Sequence, residues 1–251
     1  MINKLKKTTL FIKIRSFYKN ENEKKIYNLR KNFYKTFVNH ESLVFDVGAN
    51  VGNRVEVFLK LGATVVAIEP QEFCRKILGI KFGKKIKLVP YGVGEVEEEK
   101  TMYISNSNTI SSFSKEWIDE VKKNRFKNEE WNKTETIKVT TLEKLIIKHG
   151  KPSFIKIDVE GYELQALKGL EQAVQTISFE YTVPEQITNA HSCVEYLNGL
   201  SKYYHFNYST GETMILVLDD FVSFEQFNNT ILNSNEFIKS SNGDIYAKII
   251  E

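Results

Sequence analysis

Leu43-Val44-Phe45-Asp46-Val47-Gly48-Ala49-Asn50-Val51-Gly52 is the stretch from which the fold can be read. A short apolar run bounded by turn residues has the length of a buried strand rather than of a helix. The glycine turn hands the chain to a segment in which Val55, Phe58, Leu59 and Leu61 recur at helical spacing, with Gly62 placed to end it. A second apolar run, Thr64-Val65-Val66-Ala67-Ile68, stops at Glu69-Pro70. A helix around residues 71–80 then leads to a third strand at 86–89. Apolar strands alternating with helices specify a parallel sheet covered on both faces, an α/β fold.

Downstream, residues 91–104 read as a turn and a short hairpin, with an acidic run at 95–99. Residues 105–135 are polar and contain Trp117 and Trp131, which suits an insertion of loop and helix. A strand is expected at 137–140. Thr140-Thr141-Leu142-Glu143 has the form of a capping box, and His149, Gly150 and Pro152 end the helix it opens. Strands follow at 154–158 and 177–182, joined by a helix bearing Leu164, Leu167, Leu170 and Val174. Residues 203–208 and 214–218 read as a closing antiparallel hairpin. Upstream, residues 1–40 are basic, with Leu10, Ile14, Phe17, Ile26, Leu29, Phe33 and Phe37 near helical spacing. The expected organisation is an N-terminal helical segment, 1–40, packed on one domain, 41–251.

Composition bounds the function. The 251 residues are 41% hydrophobic and 27% charged, with 17 Phe and 12 Tyr, which is ordinary globular usage and excludes long disorder. Lys and Arg number 35 against 32 Asp and Glu, a net +3, so DNA is not an expected partner. Cys74 and Cys193 are far apart in sequence and form no CxxC, which excludes a disulfide framework and a cysteine zinc site. No apolar run approaches the ~20 residues that span a bilayer. The early Lys-rich stretch is interrupted by Lys13 and Arg15 and lacks a small-residue cleavage site, so a cytoplasmic protein is expected.

Chemistry concentrates at the strand ends. Glycines in the 48–52 loop let backbone N–H groups approach a ligand beside a helix N-terminus, although a tight strand-to-helix turn also favours Gly and Asn. The spacing is Gly-x-x-x-Gly, not the Gly-x-Gly-x-x-Gly that cradles a dinucleotide pyrophosphate. Glu69, some 20 residues on at the next strand end, stands where a carboxylate accepts both hydroxyls of a ribose. Asp46 beside the loop repels a pyrophosphate and suits a cation. S-adenosylmethionine, a nucleoside with a sulfonium, an amino-acid tail and no phosphate, meets all three conditions.

Asp46-x-Gly48-Ala49-Asn50-x-Gly52, Ile68-Glu69-Pro70 and Ile155-Lys156-Ile157-Asp158-Val159-Glu160-Gly161-Tyr162-Glu163 together resemble the FkbM family of S-adenosylmethionine-dependent methyltransferases. The likeness runs over residues 43–181, and the third motif is its most specific part. It implies a Rossmann-like class I fold with a mostly parallel seven-stranded sheet, and methylation of hydroxyl oxygens on sugars or other metabolites. It also implies that Asp46, Gly48, Asn50 and Gly52 form the cofactor loop and that Glu69 holds the ribose. The 1–40 segment, the 105–135 insertion and the tail match weakly, and acceptor choice is expected there.

Asp158 and Glu160, after the fourth strand, stand where a methyl acceptor must lie. In-line transfer rewards alignment, and a hydroxyl must also lose its proton, so these two carboxylates are the expected catalytic pair. Glu163 fits catalysis or a helix N-terminus equally well. A divalent metal on this cluster is a competing reading; none is expected. No Asp/Asn-Pro-Pro-aromatic turn, the grip for an amino group, follows the strand. Glu180 lies toward the same edge as a further candidate for acceptor binding; His191, on that side too, reads as a surface histidine first and as a base or substrate contact second, whereas His40 and His149 precede strands at the opposite edge. Trp117 and Trp131 either cover the site or anchor the insertion. The expected acceptor is a small molecule or glycan. The alternatives are an RNA methyltransferase using the basic arm and a nicotinamide-dependent oxidoreductase.

Overall fold

The structure, a computed structural model, describes residues 20–107 and 109–250. Leu10, Ile14 and Phe17 lie outside the described residues. Helix α1 (Glu21–Tyr34) starts at Asn20, whose side chain accepts from the N–H of Glu23 while Glu23 accepts from that of Asn20. This reciprocal cap satisfies two N–H groups that would otherwise be orphaned. The chain then alternates through β1 (Leu43–Val47), α2 (Asn53–Lys60), β2 (Thr64–Ile68), α3 (Glu72–Phe82) and β3 (Lys87–Val89).

Three strands leave the main sheet: β4 (Gly92–Val93), β5 (Glu98–Ile104) and β6 (Lys133–Thr140), with α4 (Lys115–Val121) between the last two. The expected 91–104 hairpin does not form. β4 and β5 each pair with β6, in the order β4-β6-β5, so the strand foreseen at 137–140 is longer and lies at the centre of a second sheet. α5 (Leu142–His149) begins at Thr141, whose hydroxyl accepts from the N–H of Lys144. The cap is therefore one residue later than the capping-box reading placed it, and its third helical residue is a lysine that cannot reciprocate.

β7 (Phe154–Ile157), α6 (Glu163–Lys168), β8 (Thr176–Thr182), α7 (Ile187–Leu200) and β9 (Tyr204–Thr210) follow. Two short helices, α8 (Phe224–Gln226) and α9 (Asn235–Lys239), precede β10 (Asn242–Ile249). The seven strands run β3-β2-β1-β7-β8-β10-β9, with β10 antiparallel to both neighbours and the rest of the order parallel where paired. This is the mostly parallel, Rossmann-like arrangement expected. The closing antiparallel pair exists, but its partner for β9 is 242–249. Residues 214–218 contribute only one bridge, Leu216 to Ser209.

Each sheet face carries a core. One is built on Phe45, Val47, Ile155, Ile157, Ile177 and Phe179 under α5, α6 and α7. On the other, Val44, Phe154 and Tyr246 meet Tyr34 of α1 and Phe58 of α2. Tyr34 stands edge-on to Phe58 and Phe154, at 5.0 and 5.9 Å. Among the described residues no helix is long and apolar enough to cross a membrane.

Candidate active site

A cavity of about 280 Å³ opens at the carboxyl ends of β1, β2, β7 and β8. The loop after β1 makes its first wall. The N–H groups of Gly48 and Ala49 both donate to the Ile68 carbonyl, at 3.0 and 3.1 Å, which folds the loop against β2. Gly48, Asn50 and Gly52 all have positive φ, +79°, +47° and +83°. Gly48 lines the cavity and lies so close to β7 that an added Cβ would sit 1.8 Å from the Asp158 carbonyl oxygen. Gly52 is not among the lining residues. It is the first cap of α2 and faces Leu78 and Phe82 of α3, where a Cβ would come within 2.4 Å of the Phe82 ring.

Glu69 is 2% exposed, and both its oxygens are held by backbone: Asn50 N–H donates to Oε2 at 2.8 Å and Gln71 N–H to Oε1 at 2.7 Å. Burial nevertheless pushes its carboxyl up to about 7, against those two donors. Asp46 is 1% exposed, and its Oδ2 has no hydrogen-bond partner. Burial raises it to about 6, while Lys156 and Arg54 pull the other way. A buried carboxylate oxygen left unpaired is costly unless something else meets it.

The register explains the rest. Asp46 is level with Lys156, and Lys156 with Ser178, so the three share the sheet face that carries Val44 and Phe154. Lys156 is 2% exposed and donates to Asp158 Oδ2 at 2.6 Å. Burial works against its charge, but Asp158 and Asp244 outweigh it and hold the ammonium protonated. Burial likewise opposes the Asp158 charge, yet Lys156 prevails and holds this carboxyl below the usual range. Carboxylate oxygens of Asp158, Glu160 and Glu180 lie within 4.8 Å of one another. Burial first, then the neighbouring carboxylates, push Glu160 and Glu180 well above the usual range. Three such groups can share protons or hold a hard divalent cation. Glu160 keeps a left-handed backbone, φ +54°, and its carbonyl accepts from the Ser112 hydroxyl at 2.6 Å.

The expected residues Asp46, Gly48, Asn50, Glu69, Asp158 and Glu160 thus share one cavity, and Glu180 joins them. Glu163 is 2% exposed and accepts from the N–H groups of Val159 and Gly161, so it braces the loop from beneath. His191 is absent from the lining, and its ring nitrogen pairs with Asn228 at 2.8 Å. Trp117 and Trp131 anchor rather than cover: they meet edge-on at 6.4 Å among Ile110, Ile118 and Val121, and Trp131 donates to the Ile110 carbonyl. Sequence reasoning passed over Lys156, Arg30, Arg54 and Glu212. Only Lys156 had a local signal, as a charge inside an apolar four-residue strand that demands a buried partner.

The family profile described as the methyltransferase FkbM domain matches residues 46–208. Among proteins of curated function none matches the sequence. Similar solved structures include a precorrin-6y C5,15-methyltransferase from Geobacter metallireducens, 10% identical over 88% of this chain and 87% of that one, with a TM-score of 0.43. An rRNA methylase from Streptococcus thermophilus is 14% identical over 88% and 94%, with a TM-score of 0.42. An O-methyltransferase from Bacillus cereus in complex with SAH is 11% identical over 97% and 90%, with a TM-score of 0.41.

Proposed function

The chain belongs to the FkbM methyltransferase family, a group of S-adenosylmethionine-dependent enzymes, and from that premise we propose that it methylates a hydroxyl oxygen on a sugar, glycan or small metabolite. The cavity fits the cofactor on two observations: the unpaired buried oxygen of Asp46 offers a partner for a cationic group, and Glu69 presents a carboxylate fixed by two backbone donors to a ribose diol. When bound, the cofactor supplies an electrophilic methyl group on a sulfonium. Asn50 and Gly48 shape the wall beside it, and Gly52 sets the loop from behind.

The single observation that carries the hydroxyl reading is the convergence of Asp158, Glu160 and Glu180 on one point of that same cavity. A general base works best when its pKa lies near the working pH. Asp158, paired with Lys156, stays ionised and is suited to orient the acceptor. Glu160 and Glu180 sit close enough to titrate as a unit, so one member of the pair is free to take the hydroxyl proton.

Methyl transfer to a panel of hydroxylated sugars and metabolites, followed by mass spectrometry, tests the proposal. Glu160→Gln is expected to reduce turnover by roughly a hundredfold, within the usual range for a lost acid–base group, and Asp158→Asn to reduce it through lost orientation of the acceptor. Binding of S-adenosylhomocysteine should stay within a few-fold of the parent protein. Methylation confined to amines or to RNA would overturn the reading.

A further inference from the structure

The cavity carries a second charge cluster that the methyl-transfer chemistry leaves unused. Arg30 of α1, Arg54 of α2 and Glu212, just beyond β9, all line it. Arg54 Nη2 donates to both Glu212 oxygens at 2.7 Å, and Arg30 Nη2 donates to Oε2 at 3.2 Å. The side chains of Arg54 and Arg30 are 11% and 17% exposed, whereas that of Glu212 is 61% exposed. The two guanidiniums are fixed parts of the wall: Arg54 Nε also donates to the Tyr34 hydroxyl at 3.2 Å, and Tyr34 is fully buried. Glu212 reaches them from solvent.

Two mostly buried cations therefore share the Glu212 carboxylate, and Arg54 is balanced further by Asp244. Arg30 feels the shortfall: burial and then the neighbouring Arg54 disfavour its charge, and its Nε is buried without a partner. In the same cavity Asp46 shows the opposite deficit, an unpaired buried anionic oxygen whose titration senses Arg54. An unmet anionic oxygen on Asp46 and an incompletely paired guanidinium on Arg30, in one cavity, are the complement of a zwitterion. Guanidinium is a strong partner for carboxylate, and Glu212 already occupies the fork that the Nη2 groups of Arg30 and Arg54 make between them.

We propose that Arg30 and Arg54 form the subsite for the α-carboxylate of the cofactor's amino-acid tail, and that Glu212 is an internal carboxylate that fills this subsite until the ligand displaces it. The inference rests on the S-adenosylmethionine reading of the cavity. Exchange of one carboxylate for another keeps the arginines paired in both states, so they remain folded in place while empty. It also means that the ligand competes with a group tethered to the protein, and apparent affinity is reduced by the fraction of time that Glu212 holds the fork.

Calorimetric titration of the full chain with S-adenosylhomocysteine, and with its decarboxylated counterpart that keeps the amine, tests this. Glu212→Ala is expected to tighten S-adenosylhomocysteine binding roughly five- to tenfold, by removing the competitor. The decarboxylated compound should bind parent and variant within about twofold of each other, since it does not enter the fork. Arg30→Gln is expected to weaken S-adenosylhomocysteine roughly tenfold while sparing the decarboxylated compound. Arg30 makes fewer hydrogen bonds than Arg54, so the variant is expected to fold, which circular dichroism checks. Glu212→Ala that leaves S-adenosylhomocysteine unchanged, or shifts both compounds equally, overturns the inference and leaves the cofactor reading standing. Failure of both compounds to bind any variant overturns the cofactor reading and this inference with it.

Discussion

Gly48 shows how a single missing side chain joins two halves of the site. Its φ of +79° already strains any other residue, and the Asp158 carbonyl occupies the place of a Cβ. Gly48→Ala should therefore cost at least about 1–3 kcal/mol from backbone strain alone, and more from the contact. Urea unfolding is expected to show this loss together with weaker S-adenosylhomocysteine binding, because the β1 and β7 loops must separate. Glu163 acts at the same scale. Its Oε1 satisfies the N–H groups of Val159 and Gly161, so Glu163→Ala strands two donors beneath Asp158 and Glu160. A loss of about 2–3 kcal/mol in chemical denaturation is expected. From sequence, Glu163 stood equally well for catalysis or for a helix start; a choice between them needed its partners, which lie in a loop whose path the sequence does not specify.

At the scale of elements, legibility tracked how local the cause was. β1, β2, β7 and β8 could be read because buried parallel strands are near-continuous apolar runs. β10 could not: Asn242-Gly243-Asp244-Ile245-Tyr246-Ala247-Lys248-Ile249 is polar enough to pass for a loop. It is a strand because β8 and β9 both pair with it. Residues 214–218 have the better strand composition, yet they make a single bridge, Leu216 to Ser209. The insertion was recognised as polar, but its attachment was hidden. Arg125, just past α4, donates to the Val183 and Ser241 carbonyls and to the Ser241 hydroxyl, and pairs with Glu185 at 3.4 Å. Arg125→Ala is expected to speed hydrogen exchange at α4 and residues 122–132 by about tenfold or more while leaving β1 and β7 unchanged. Equal acceleration in the sheet would show that the insertion is not an independent unit.

For the molecule as a whole, the concentration of buried acids at one sheet edge makes stability depend on pH. Asp46 rises from 3.8 to about 6, and Glu69 and Glu163 each rise from 4.5 to about 7, in every case chiefly through burial. A raised carboxyl binds its proton more tightly when folded, so the stabilisation is fully present below the unfolded value and is lost as pH rises through 6 to 7. Asp158 and Glu212 are held low and act at more acidic pH, outside this window. The protein without ligand should thus melt several degrees lower at pH 8 than at pH 5.5. Asp46→Asn should flatten that slope and weaken S-adenosylhomocysteine binding. An unchanged melting temperature across the range would contradict the burial argument. The strand order has a different consequence, for synthesis on the ribosome. β10 is made after β9 yet lies between β9 and β8. Until Ile249 has left the exit tunnel, β8 presents an open edge to neighbouring nascent chains. The emerging polypeptide is therefore open to pairing with other chains along β8 through the interval before β10 emerges to cover that edge.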